Sequence, residues 1–418
     1  MYLNYKRIYM RKLFMFVAGA MLLASCTGGK KELTTGPWLG VVQLDSLGSF
    51  TVPFNLEVKK DAEKVTLVIR NADEFIQVDE VEVKGDTIHA KLPVFTSEIV
   101  ALIGDSLKGF YYPKGLQFGV KYNFYAVKGQ TDRFPWFTET PAFDVTGRWW
   151  FIENPGTPDS TLMIAELKQN GSIVTGTILS TSGDYRYLEG KVSGSKFYFS
   201  KNDGAQTIII KGDIADANTM VNGLISGSPK WVAPWKAVRD DNAKLPESDK
   251  LVWVKKGIST FEFAGKDLDG NIVKSTDPKF QGKVIAVLAG GSWCPNCLDE
   301  GRYYKALYEK YADKGLEVVS LCFEDKTFEA AQPKVQRFAK SIGANYTYLY
   351  VAPRGREQRD SVLYALEGQM AYPTSMILDR KGNIRKVETG FSGPGTGAHY
   401  EKFAKETEEL IVKLLEEK

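Results

Sequence analysis

Between residues 50 and 100 the chain alternates apolar and polar residues in short runs: "FNLEV", "KVTLVIR", "FIQVDEVEV" and "TIHAKL". A period of two places one face of a strand on a core and the other in water. Turn-forming residues separate the runs, so they predict a strand meander. Helical periodicity is missing until near residue 300. There the pattern changes. "KVIAVLAGG" predicts a strand buried on both faces. "CPNCLDEGRYYKALYEKYADKG" predicts a helix that starts at a cysteine and stops at Gly315. The strand "LEVVSLCF" follows, then the helix "FEAAQPKVQRFAKSIG" with a proline inside it, then strands "TSMILD" and "IRKVET" joined by "RKGN", and a final helix "HYEKFAKETEELIVKLLEEK". Such alternation means a sheet covered by helices.

The all-β part carries an internal echo. "GPW" at 36–38 matches "GRW" at 147–149, and "FYAVK" at 124–128 matches "WKAVR" at 235–239, both at an offset of 111. "VKG" at 83–85 matches "VSG" at 192–194, and Gly104-Asp105 matches Gly212-Asp213, in the same order and at nearly the same spacing. Each copy suffices for a small antiparallel barrel or sandwich. In the second copy Asn170-Gly171 stands between alternating runs and predicts a hairpin. Polar stretches at 129–143 and 239–250 read as linkers. The expected fold is two all-β repeat domains, at 34–140 and 141–245, followed by an α/β domain at 246–418. A Gly-x-Trp that opens a strand meander resembles lipocalin-like domains.

The first residues change the picture of location. Lys6, Arg7, Arg11 and Lys12 precede the apolar run "LFMFVAGAMLL" and then "LASC". The run is too short to span a bilayer and suits a signal peptide, residues 1–25. "LASC" resembles the lipobox of bacterial lipoproteins, which implies lipid on Cys26, a tether at 26–33, and attachment to a membrane facing the periplasm, with the outer membrane favoured. Net charge is +3, and without those four basic residues it becomes −1. A near-neutral surface with no basic run argues against nucleic acid as a partner.

The chain has four cysteines and two histidines. With Cys26 acylated, Cys294, Cys297 and Cys322 remain. One pair is no disulfide framework. His89, His399 and a single Cys-x-x-Cys make no four-ligand zinc site, and neither metal nor organic cofactor is expected. That leaves "WCPNC" as a reactive dithiol. At a strand-to-helix junction the first cysteine meets the unpaired N–H groups of the helix start, which favour its thiolate. Exposed Cys294 is thus expected to attack and covered Cys297 to resolve. Cys322, inside an apolar strand, reads as a buried thiol.

"KFQGKVIAVLAGGSWCPNCLDE", "DLDGNIV" before it and "AYPTSMILDRKGNI" after it resemble the thioredoxin-like family of TlpA/ResA type, over roughly residues 255–418. The resemblance implies a thiol–disulfide oxidoreductase that acts on protein thiols and disulfides outside the cytoplasm, fed by a membrane or periplasmic electron donor. It further implies that Pro373 follows a cis bond beside the dithiol, that Glu300 lies beneath the dithiol, and that Trp293, Tyr372 and Thr374 face substrate. Two departures stand out. Gly290 and Gly291 replace an aromatic of the family, and Leu288 occupies the place of thioredoxin's buried aspartate. A thiol peroxidase of peroxiredoxin type is a second reading, weakened because the "P-x-x-x-[TS]-x-x-C" pattern is absent. A third makes the β-domains a binding module with an accessory redox domain.

Overall fold

The computed structural model describes residues 32–62 and 64–417; Cys26 and the signal segment lie outside the described residues. Strands from Gly36–Gln43 to Tyr122–Lys128 form an antiparallel up-and-down sheet whose first strand pairs with its last. Strands from Gly147–Glu153 to Trp231–Arg239 do the same, and this second sheet also closes through Thr161–Asn170 on Ile173–Ser180. In the second sheet this closure removes the strand edges that an open sheet would leave, while in the first Glu74–Val78 and Glu80–Lys84 are the two outer strands. Trp38 faces Lys128 and Gly40 faces Ala126; Trp149 faces Arg239 and Phe151 faces Ala237. The closing registers therefore coincide at the offset of 111 seen in the sequence. Each Trp anchors its strand start, since the Nε1–H of Trp38 donates to Thr34 O at 3.1 Å and that of Trp149 to Val145 O at 2.9 Å.

Two local expectations shift. "FIQVDEVEV" is two strands, Glu74–Val78 and Glu80–Lys84, parted at Asp79. The hairpin at Asn170 turns one residue later, because Asn170 still pairs with Ile173 and the turn is Gly171-Ser172. Leu33, read as tether, is buried in the first barrel's apolar core. Both barrel interiors are filled by side chains. In the second, Trp149, Phe151, Phe197 and Trp235 leave a cavity of only about 10 Å³.

Arg133, in the linker between barrels, is buried and stitches them together. Its Nε–H donates to Asn55 Oδ1 at 3.0 Å and its Nη1–H to Ser200 O at 2.9 Å. Ser200 Oγ in turn donates to Pro53 O at 2.6 Å.

The C-terminal part is a seven-stranded mixed sheet. In spatial order its strands are Ile272–Lys274, Ala264–Lys266, Thr347–Pro353, Leu316–Glu324, Val284–Gly290, Thr374–Leu378 and Ile384–Thr389. Val284–Gly290, Leu316–Glu324 and Thr347–Pro353 run parallel, and Thr374–Leu378 returns antiparallel beside the first of them. Four helices accompany it: α1 (Pro295–Tyr311), α2 (Phe328–Ile342), α3 (Arg356–Val362) and α4 (Ala398–Glu416). Apolar clusters fill both faces of the sheet, which is why its inner strand Val284–Gly290 is apolar at every position. Pro333 lies early in α2, which continues past it to a left-handed cap at Gly343. Short α3 and the strand pair Val252–Val254 with Leu366–Gly368 have no clear periodicity in the sequence.

Candidate active site

The fully buried strand Val284–Gly290 delivers the chain to the start of α1, where Cys294 is the N-cap and Pro295 the first helical residue. Proline suits that position, since its missing N–H has no partner to lose there. Cys294 and Cys297 form a disulfide with Cα atoms 5.2 Å apart. Cys294 Sγ also accepts the Cys297 N–H at 3.2 Å, so a group at this sulfur sits on the open end of the helix.

The Tyr372–Pro373 peptide bond is cis. Cys294 Sγ lies 3.7 Å from the Tyr372 carbonyl oxygen, so the proline loop faces the attacking position. Trp293 donates its indole N–H to Phe323 O at 2.8 Å and meets Tyr372 edge-on at 5.3 Å. The Arg354 guanidinium sits 4.7 Å over the same indole. Thr374 is different. Its buried hydroxyl donates to Ala371 O at 2.8 Å and meets Thr389 Oγ1 at 3.1 Å, so it shapes the loop from behind.

The glycine departure has a physical reason. A Cβ on Gly290 would stand 2.6 Å from Cys297 Sγ, and one on Gly291 would overlap the Trp293 indole. The glycines thus make room for the sulfur and the ring.

One expectation is corrected. Cys294 is 4% exposed and Cys297 6%, so accessibility does not distinguish attacking from resolving thiol. Both belong to an apolar cluster that takes in Val94 and Phe95 from the first barrel, and Trp293 and Tyr372 pack against it. What separates the two sulfurs is position: Cys294 faces the proline loop, Cys297 faces Gly290. Cys322 is a buried free thiol whose pKa burial pushes up to about 12, so it stays protonated. His399 Nε2–H donates to Glu166 Oε1 of the second barrel at 2.9 Å, away from the dithiol.

Glu300 is 2% exposed, three residues after Cys297 in α1. Burial pushes its pKa up to about 8; a hydrogen bond with Ser375 pulls down and the charge of Glu388 pushes further up. At neutral pH the group is therefore mostly a neutral acid. The unfolded chain loses this proton near pH 4.5, the folded protein only near 8. The folded state binds more protons in that window, so stability falls as pH rises through it. Glu300→Gln should remove this loss, on the order of a few kcal/mol by pH 9 and nothing at pH 4. Urea midpoints of both proteins across that range check it; parallel curves would rule it out.

The sequence reading missed three contributors. Glu324, at the end of its strand, is buried and accepts the Ser292 backbone N–H and, at 2.9 Å, its hydroxyl. It fixes the residue before Trp293, and burial pushes its pKa up to about 7. The acid ending the run "LCF" was its only signal. Asn296 and Asp299, near the start of α1, tie the helix to segments distant in sequence. Asn296 Nδ2–H donates to Phe391 O at 3.1 Å. Asp299 meets Arg186 of the second barrel, with Nε to Oδ2 at 2.9 Å.

Arg186 is the hub of a buried charge cluster. Its Nη2 lies 2.6 Å from Glu74 of the first barrel, and its Nη1 lies 3.7 Å from Asp203. Lys201 pairs with Asp203 at 2.9 Å with both side chains fully enclosed. Burial raises the pKa of Glu74, Asp184 and Asp299, with Arg186 opposing the rise. For Asp203 burial also acts upward, but Lys201 and Arg186 outweigh it and hold the carboxylate below its ordinary range.

Residues 254–402 match the Redoxin family model, which begins beyond both barrels. A thioredoxin-like protein, YneN, of Bacillus subtilis is 30% identical over 143 residues, 34% of this chain and 76% of that one. The thiol-disulfide oxidoreductase ResA of Geobacillus thermodenitrificans is 28% identical over 136 residues, 32% of this chain and 69% of that one. A solved structure described as a putative thiol:disulfide interchange protein DsbE from Chlorobium tepidum is 26% identical, covers 39% of this chain and 99% of that one, and superposes with a TM-score of 0.31. A dithiol capping a helix after an inner strand of a mixed sheet, together with the 30% identity to a thioredoxin-like relative, means that this chain belongs to the thioredoxin-like thiol–disulfide oxidoreductases of TlpA/ResA type.

Proposed function

We propose that the protein is a lipid-anchored, extracytoplasmic disulfide reductase that uses the Cys294–Cys297 couple on protein substrates. One observation carries the reading: the disulfide caps α1 and its first sulfur faces the Tyr372 carbonyl. In the reduced protein, the Cys294 thiolate attacks a substrate disulfide and releases one substrate thiolate, which takes up a proton. Cys297 loses its proton and displaces the second, leaving a reduced substrate and the Cys294–Cys297 disulfide. A membrane or periplasmic donor then returns two electrons and two protons. Tyr372 offers its carbonyl to the incoming chain, Pro373 shapes that approach, Trp293 gives apolar support, and Glu300 holds a proton near the couple.

The domain division at residues 34–140, 141–245 and 246–418 belongs to the same reading, with the coincident closing registers as support for a duplication. Among the described residues no helix is long and apolar enough to cross a membrane. Anchoring is assigned to Cys26 on the motif "LASC". Cys26→Ala should release the protein from the membrane fraction of the producing cell; unchanged sedimentation and processing would refute the anchor.

The direction of electron flow is tested by equilibrating the protein with glutathione buffers. A potential near the thioredoxin end, about −270 mV, supports a reductant, and one near about −120 mV would make it an oxidant instead. Reduction of insulin by the reduced protein tests the substrate class.

A further inference from the structure

We propose that the hairpin at residues 180–186 of the second barrel is a fixed wall of the disulfide-exchange groove, and that it determines which substrates reach Cys294 by excluding bulky ones. The inference rests on the reading that this dithiol exchanges disulfides with proteins.

The hairpin meets both halves of the site. Gly183 lies against Asn296, the residue inside the Cys-x-x-Cys, so closely that a Cβ there would overlap Asn296 Nδ2; its φ of +132° is likewise a glycine conformation. On the other half, a Cβ on Gly390 would stand 2.9 Å from Ser182 C and 3.0 Å from Gly183 N. Gly390 N–H donates to the carbonyl of Pro373 at 2.8 Å, so the hairpin also rests on the segment that supports the proline loop.

Three further anchors hold it. Thr181 Oγ1 accepts from Gln369 Nε2 at 3.0 Å. Asp184 Oδ2 accepts the Gly393 N–H at 2.6 Å. Arg186 grips Asp299, two residues beyond Cys297. The contacts are spread along the hairpin and most are buried, as a wall requires and a loosely packed loop would not provide. They fit the low exposure of both sulfurs. Trp293, Tyr372 and exposed Arg354 contact one another and Phe323 within the sheet domain, and this side is the proposed approach for substrate. An extended segment can lie along such a one-sided groove; a broad folded surface cannot.

Gly183→Val in the full chain should force the hairpin away from Asn296, and Asp184→Ala should loosen it at a different anchor. Neither residue takes part in the exchange chemistry. Reduced proteins are treated with iodoacetamide and with a maleimide that carries a polyethylene glycol chain. Relative to the small reagent, the bulky one should gain about tenfold in rate at Cys294 in both variants, because the wall opens locally. Insulin reduction should rise about fivefold in kcat/KM while reduction of a small aromatic disulfide stays unchanged. An unchanged ratio of alkylation rates in both variants overturns the wall, as does a fall for both substrates. If wild type and variants alike reduce no disulfide, the functional reading fails instead, and the alkylation ratio still decides the wall. Thermal melts identify a variant that has simply unfolded, in which case the other one carries the test.

Discussion

Cys294→Ser is expected to lower insulin reduction by more than about a thousandfold, because it removes the nucleophile itself. The assignment comes from place, since both sulfurs are equally buried. Cys294 is the N-cap of α1 and its sulfur accepts a backbone N–H there. Unpaired N–H groups and the helix dipole favour a thiolate at that end and fall off within a turn. Its sulfur also lies 3.7 Å from the Tyr372 carbonyl, where an incoming chain would align. Cys297 instead faces Gly290 from inside the first turn. Cys297→Ser should therefore leave attack intact and prevent resolution, so that a mixed disulfide between Cys294 and substrate accumulates. Mass spectrometry of the protein after exposure to excess substrate disulfide reads the adduct. If the Cys294→Ser protein carries the adduct and the Cys297→Ser protein stays unmodified, the two roles are reversed.

What could be read in the sequence was local. Period-two runs and Gly-rich turns mark both barrels, and the "GPW"/"GRW" echo at offset 111 reappears as the same closing register around Trp38 and Trp149. The apolar run 284–290 and the helix stop at Gly315 mark the sheet domain, and the "WCPNC" and "YPT" motifs mark its redox site. Burial at the site was not legible. Glu300 reads as an ordinary polar residue near a helix start, yet the fold encloses it beside Ser375. Cys294 reads as exposed, and is covered because residues from distant stretches join its apolar cluster, Val94 and Phe95 among them. Nothing in "TSGDYR" at 181–186 announces that Gly183 packs on Asn296 and Arg186 on Asp299, more than 100 residues away. Such contacts depend on how closed units dock. A hydrophobic pattern specifies which face of an element is buried, but carries no record of which other unit meets the polar residues at its rim.

Arg186→Ala is expected to cost about 3–5 kcal/mol, the range for breaking a buried ion pair by removal of one partner. Arg186 is 4% exposed, and three carboxylates lie within 4 Å of its guanidinium: Glu74 from the first barrel, Asp203 from the second and Asp299 from α1. Without it, Lys201 still pairs with Asp203, while Glu74 and Asp299 remain as buried charges with no strong cation beside them; half-exposed Arg302 reaches Asp299 only at 3.6 Å. The loss has a sign in pH. Both carboxyls are already raised by burial, with Arg186 pulling them down. Removing Arg186 lets them rise further, so folding of the variant takes up more protons than folding of the wild type. Its stability deficit should thus be largest where both carboxyls are ionised and shrink as pH falls and protonation removes the buried charge. Because Arg186 joins three units, the damage should appear at their junctions. Wild type should melt as one transition, and the variant in at least two, with earlier proteolysis in the 239–250 linker. A single transition at unchanged temperature across pH would mean that the charge cluster contributes nothing to the docking of the barrels and the redox domain.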